Sequence, residues 1–247
     1  MITAVVPVSP IKSHPDTAIL TDTITSIRTC LPDAEIICTF DGVRAEQADR
    51  RADYREFTRR ALWAADHDWG NVCPFVFETH HHQSGMLQAT IDIIDTPLVI
   101  YVEQDTPLVV DEPIDFDAIC AFVLSGGSNV VRLYHEGRIP DEHQHMIHGA
   151  DIYQGTEFLR TSQWSQRPHI ASTAYYRRIL DSHFSVDAKS FIEDRMHGVV
   201  DQAFRRDGMQ GWSQHRIHIY SPGENLKRSY HTDGRQGEPK WDDTQVF

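Results

Sequence analysis

The 247-residue chain has no long apolar run. Runs such as Pro97 to Val102 fall far short of the ~20 residues a membrane-spanning helix needs, so no membrane span is expected. Cysteine is scarce: Cys30, Cys38, Cys73 and Cys120 stand apart, with no CxxC pair among the four. That excludes a zinc ribbon and a disulfide scaffold, and reads the four as small buried hydrophobes in a reducing compartment. A basic leader is missing too. Met1 to Val8 carries no cation and is interrupted by Pro7, so no signal peptide is expected and the expected location is cytoplasmic, the host cytoplasm if a phage encodes the chain. Positive charge is in short supply, with 23 Lys and Arg against 36 Asp and Glu and a net charge of −13. Such a surface repels polyanions except where a basic patch forms locally. The sequence holds no GxGxxG, no P-loop and no HExxH, which removes the dinucleotide fingerprint, the Walker-type phosphate cradle and the zincin site.

What is present is a rhythm. Apolar residues make up 40 % of the chain, enough for a sizeable core. Ile2 to Val8 is β-branched and apolar, a buried strand. Ile19, Leu20, Ile24 and Ile27 recur at helical spacing until Pro32 stops them. Strand Glu35 to Phe40, helix Arg51 to Asp66, strand Pro74 to Glu78, helix Gly85 to Ile94 and the wholly apolar strand Leu98 to Val102 follow in alternation. That β-α-β-α-β-α-β order predicts an α/β fold with a Rossmann-type, mostly parallel sheet flanked by helices. Beyond Glu103 the pattern loosens. The reading there is a short strand at Thr106 to Val110, a helix at Phe116 to Leu124 and a strand at Asn129 to Tyr134. A histidine-rich loop or lid follows over His135 to Gly155, then helices at Arg177 to Ser182 and Ile192 to Arg206 and a last strand at Arg216 to Tyr220. No linker divides the chain, so one domain over 1–247 is expected: a ligand-binding part at 1–110, a second part at 111–222 and a polar tail at 223–247.

Open parallel sheets bind ligands at the carboxyl ends of their strands. Val102-Glu103-Gln104-Asp105 puts two carboxylates at such an end. Two positions apart, they share a side of an extended chain. A hard divalent cation takes one or two such oxygens and fills its other positions with water and substrate phosphates. Acidic residues after a strand also serve as ordinary turn and cap residues, so the spacing alone leaves both readings open.

Thr3-Ala4-Val5-Val6-Pro7-Val8, Phe40-Asp41-Gly42 and Tyr101-Val102-Glu103-Gln104-Asp105 together resemble pieces of the GT-A nucleotide-sugar glycosyltransferases, of the family-2 kind. The third piece is similar to their DxD motif, with Glu in the first place. The resemblance covers element order over roughly residues 1 to 110 and implies several roles. Asp105, with Glu103, holds Mn2+ or Mg2+. Pro7, Val8 and Asp41 bind the donor's nucleoside, with Gln104 on the donor side. His231, in the late Ser229-Tyr230-His231-Thr232 segment, completes the metal site. A carboxylate in Phe191-Ile192-Glu193-Asp194 is the general base, with Asp194 preferred to Glu193, and that base implies inversion. A helix N-terminus favours carboxylates in any case, so a purely structural role for this pair stands beside the catalytic one.

Other residues were weighed on their own. His80-His81-His82-Gln83 follows the third strand, which makes Gln83 or His82 a donor contact or the whole stretch merely a polar loop. Trp164, among Ser162, Gln163, Ser165 and Gln166, reads as an acceptor contact. Arg51, Arg55 and Arg59 share a helix face with Arg60 beside them, either a phosphate-binding stripe or a set of ordinary surface ion pairs. His143, His145 and His148 lack the companions of a zinc site and read as part of the lid.

The function expected is metal-dependent transfer of a sugar, hexosyl in type, from a nucleotide-sugar to an acceptor hydroxyl. The acceptor is a glycan or a hydroxymethylated base of phage-type DNA. The alternatives are a nucleotidyltransferase, disfavoured because Ser9-Pro10-Ile11-Lys12-Ser13 lacks glycine, and a non-catalytic nucleotide-sugar-binding module.

Overall fold

The computed structural model describes residues 2–185 and 189–232. Its frame is one nine-stranded sheet. Strands β1 (Ile2–Val8), β2 (Glu35–Phe40), β3 (Val72–Val76) and β4 (Leu98–Tyr101) alternate with helices α1 (Ala18–Cys30), α2 (Arg51–His67) and α3 (His82–Ile91). After them come α4 (Phe116–Leu124), β5 (Val130–Arg132), β6 (Ile147–Tyr153), β7 (Thr156–Thr161), β8 (His169–Ser172), α5 (Thr173–His183), α6 (Ile192–Asp207), the single turn α7 (Met209–Trp212) and β9 (Ile217–Ser221). The sheet order is β3-β2-β1-β4-β8-β5-β9-β7-β6. Strands β3, β2, β1 and β4 run parallel, and β8 joins β4 antiparallel.

Alternation along the strands builds two cores. Ala4, Val6 and Val8 of β1 and Leu98 and Ile100 of β4 face a cluster with Leu20, Ile24, Tyr54 and Phe57 of α1 and α2. Val5, Val99 and Tyr101 face the other way, toward Leu87, Tyr175, Ile179, Ile192 and Met196 of α3, α5 and α6. Both faces of β1 and β4 are therefore dry, which is why these strands read as unbroken apolar runs. Pro74 is tolerated in β3 because that strand lies at the sheet edge. Among the described residues, no helix is long and apolar enough to cross a membrane.

The second half departs from the sequence reading in three places. His135–Gly155 is not a lid. It holds a short 3-10 turn at Asp141–Met146 and then β6, which forms a hairpin with β7 and closes the far edge of the sheet. Gln154 and Gly155 turn the hairpin at φ of 50° and 85°. No residue of β6 is fully buried, so it keeps polar residues and its sequence carries no in-and-out alternation. His148, read as lid, bonds Ser162 Oγ at 2.9 Å and stacks on Phe204. Thr106 to Val110 forms no strand; only Leu108 makes an isolated bridge, to Ser229. Helix α5 begins at Thr173, one turn before the expected start, because Ser172 caps it through the Tyr175 amide. Of the expected polar tail, 223–232 packs back onto the sheet; 233–247 lies outside the described residues.

Candidate functional site

The carboxyl ends of β1, β2 and β4 and the start of α3 wall a cleft of about 300 Å³. Its lining includes Pro7, Val8, Ser9 and Ile11 from β1 and its loop, Asp41 and Arg44 after β2, and His82, Gln83 and Met86 from α3. Glu103, Gln104 and Asp105 after β4, Phe191 before α6 and His231 from the tail complete it.

Beyond Tyr101 the chain stays beside β1: the Val102 amide donates to Val5 O at 3.0 Å and the Gln104 amide to Pro7 O at 3.3 Å. This aims Glu103 and Asp105 into the cleft, both half-buried. The Glu103 carboxyl is pushed up to about 8, first by loss of solvation and then by the negative charge of Asp105; the Gln83 amide, which donates to Glu103 Oε1, opposes the rise. Asp105 Oδ2 lies 3.4 Å from His231 Nε2. Backbone contacts hold His231 there. The Tyr230 amide donates to Pro107 O at 3.2 Å, and the Thr232 amide and hydroxyl donate to Asp105 O at 2.7 and 3.1 Å.

This donor set suits a divalent cation of the manganese or magnesium type. Glu103 and Asp105 repel each other at a strand end, and an imidazole faces one of them. Among the described residues, no three His, Cys, Asp or Glu side chains form a ready metal cage. The fit is to an ion held by few protein ligands and completed by phosphate oxygens and water.

Asp41 is 3 % exposed at the cleft wall. Its Oδ1 accepts the amides of Gly42 (2.8 Å) and His81 (2.7 Å). Its Oδ2 accepts the His82 amide (2.9 Å) and lies 2.7 Å from His80 Nδ1. Three backbone donors meet the carboxylate, and the His80 ring nitrogen stands against Oδ2 without the geometry of a hydrogen bond. Asp41 thus fastens the 80–82 loop to the end of β2. Gly42 permits the approach, since a Cβ there would lie 2.2 Å from the Thr79 carbonyl carbon. Gln104 is buried, and its side-chain amide ties down the loop after β1 through Ser9 O at 2.9 Å.

Glu193 and Asp194 open α6, next to Phe191 at the cleft mouth. Glu193 Oε2 accepts the Gln166 amide at 2.9 Å. The charge of Glu193 is felt at Glu103 and at Arg132, so tertiary folding brings the late carboxylate to the DxD-like pair. Asp194 is exposed. Trp164 corrects the sequence reading. It is 1 % exposed and sits in the second core, stacked with Tyr175 and edge-on to Tyr176 and His169, where no ligand reaches it. Its polar sequence neighbours lie in a connection that crosses over that core, so local polarity misrepresents its surroundings.

Sequence reasoning missed Arg44, Phe191 and Met86, while His82, offered as an alternative to Gln83, does line the cleft. Arg44 lies three residues past the acidic strand end, a signal that was available. Phe191 is 42 % exposed and meets the buried His82 ring edge-on at 4.3 Å, a contact that needs the tertiary fold. Burial and the charge of Arg44 lower His82 to about 4, so its ring is neutral at pH 7.

No protein-family model matches this chain, and no curated protein matches it in sequence. Solved structures do match in fold. S. aureus TarS superposes with a TM-score of 0.52 at 16 % identity, over 94 % of this chain and 36 % of TarS. TarS 1-349 in complex with UDP-GlcNAc gives 0.58 at 14 % identity, over 96 % of this chain and 59 % of that one. The mannosyltransferase PcManGT from Pyrobaculum calidifontis, in complex with GDP-Man and Mn2+, gives 0.56 at 12 % identity, over 90 % and 55 %. The chain thus spans between about a third and three fifths of these proteins' lengths, and it shares with them the GT-A fold.

Proposed function

We propose that this chain is a glycosyltransferase that moves a sugar from a nucleoside-diphosphate sugar to an acceptor hydroxyl. The observation that carries this reading is the cleft at the carboxyl ends of β1, β2 and β4, where Glu103 and Asp105 converge with His231 on a GT-A frame. The nucleoside lies along Pro7, Val8 and the loop after β1. Gln83 and Gln104 hold Glu103 and the β1 loop in position. Asp105, His231 and Glu103 would hold Mn2+ or Mg2+, which when bound supplies positive charge for the diphosphate leaving group.

Asp194 is the general base. It is exposed three residues past Phe191 of the cleft lining, whereas Glu193 already accepts the Gln166 amide and serves to position the helix start. Asp194 takes the acceptor hydroxyl's proton as that oxygen attacks the anomeric carbon, and the diphosphate departs on the opposite side, inverting the centre. The acceptor is a glycan hydroxyl. A DNA acceptor loses support on α2, where Arg59 and Arg60 both pair with Glu56 at 2.8 Å and act as ordinary surface ion pairs.

The test is a thermal-shift screen of nucleotide-sugars with and without Mn2+, repeated with Asp105→Ala, followed by transfer assays on the donor found. A metal-linked rise in Tm with one donor, lost in Asp105→Ala, is the expected result. A rise with nucleoside triphosphates alone would sink the proposal in favour of nucleotidyl transfer.

A further inference from the structure

This inference rests on the donor-site reading above and narrows it to one class of donor. A pyrimidine such as uracil or thymine presents an N3–H between two carbonyl oxygens, so a pocket selective for it needs an acceptor aimed at the base. Asp41 is the carboxylate at the β2 end of the cleft, and it is already committed. The amides of Gly42, His81 and His82 donate to its two oxygens at 2.7 to 2.9 Å, and the His80 ring nitrogen stands against Oδ2 at 2.7 Å. A base N–H reaching for Oδ2 would have to displace the His80 ring from a carboxylate that is only 3 % exposed.

Arg44 is the charged side chain next along this wall. It makes no side-chain hydrogen bond or ion pair with the described residues. Its backbone is nevertheless well placed. Gly42 is pressed against Thr79, and Arg44 O accepts the Gln47 amide at 3.1 Å as the following 3-10 turn begins. A guanidinium offers only donors, in a planar fork that matches two adjacent acceptors. Guanine has such a pair, O6 and N7, on the edge away from the ribose. Uracil and thymine have no two adjacent acceptors, adenine sets an amino group beside N7, and the cytosine pair includes O2, which the ribose crowds.

We propose that Arg44 reads guanine and that the donor is a GDP-linked sugar. Arg44 engages the O6/N7 edge from the β2 side of the cleft, while Asp41 holds the loop that forms the pocket wall and leaves base recognition to its neighbour.

Titration calorimetry on the full chain with Mn2+ tests this, using GDP, UDP, dTDP, CDP, ADP and 7-deaza-GDP against wild type, Arg44→Ala and Arg44→Lys. Wild type is expected to bind GDP at least about fivefold more tightly than any other diphosphate, and to lose most of that margin with 7-deaza-GDP, which lacks N7. Arg44→Ala brings GDP to the level of UDP without weakening UDP, and Arg44→Lys retains only part of the preference. Tighter binding of UDP, dTDP, CDP or ADP, lost in Asp105→Ala, overturns the guanine assignment and leaves the glycosyltransferase reading standing. An equal loss for every nucleotide and for inorganic pyrophosphate in Arg44→Ala makes Arg44 a phosphate contact and also overturns it. Binding of no nucleoside diphosphate at all removes both readings together.

Discussion

Replacing Asp41 by Asn tests the loop anchor most directly. The change keeps the shape and removes the charge. With the Asn oxygen toward Gly42 and His81, its amino group faces the His82 amide, donor against donor. One buried N–H then loses its acceptor, at about 1–3 kcal/mol. The two remaining bonds weaken from charge-assisted to neutral, at roughly 0.5–1 kcal/mol each. The sum is about 3 kcal/mol. For a chain of this size that amounts to roughly 6–12 °C in Tm if the loss is global. If the loop opens locally instead, Tm holds while the loop amides lose protection. Thermal melts paired with hydrogen exchange at His81 and His82 distinguish the two routes. A Tm within about 2 °C of wild type, with both amides still protected, would refute the anchor. Nucleotide affinity should fall with the loop, because His82 and Gln83 lie at its end and line the cleft.

Three further expectations follow from the same geometry. The Glu103 carboxyl, held up at about 8 against an ordinary 4.5, keeps its proton longer in the folded chain than in the unfolded one. Metal-free stability should therefore fall as pH rises from about 4.5 to about 8 and level off above. Since part of the side chain meets solvent, the loss is about 2 kcal/mol rather than the ~5 that the shift converts to. Glu103→Gln should flatten the melting profile between pH 5 and 9, and parallel profiles for the two proteins would contradict this. Asp194→Asn should lower transfer by about 10²–10⁴-fold with donor affinity kept; full turnover in this variant alongside a dead Glu193→Gln would exchange the two roles. Trp164→Ala should cost about 3–5 kcal/mol of stability, and Trp164→Phe should leave the acceptor KM as it was, a measurement that fails if Trp164 meets the acceptor.

Much of the first half could be read along the chain. The strands β1, β2 and β4 are covered on both faces, so burial writes itself into consecutive residues, and helices α1 and α2 repeat their apolar faces over three turns or more. The acidic strand ends lie where a parallel sheet exposes its carboxyl edge, so the position of Asp41, Glu103 and Asp105 along that edge was legible before any coordinates. The β6–β7 hairpin was not, because β6 buries no residue fully and β7 only two, which leaves no alternation strong enough to betray them.

Local patterning determined what each segment becomes where that segment's own burial is uniform, together with which side chains stand at its strand ends. Which groups meet was decided only by tertiary structure. Glu193 and His231 reach the Glu103–Asp105 pair across 90 residues or more of chain, Trp164 is buried despite polar neighbours, and Asp41 is used up by a loop forty residues away. The reason is range. Periodicity and capping act over a few residues, whereas the saturation of a carboxylate or the burial of an indole depends on every element packed around it.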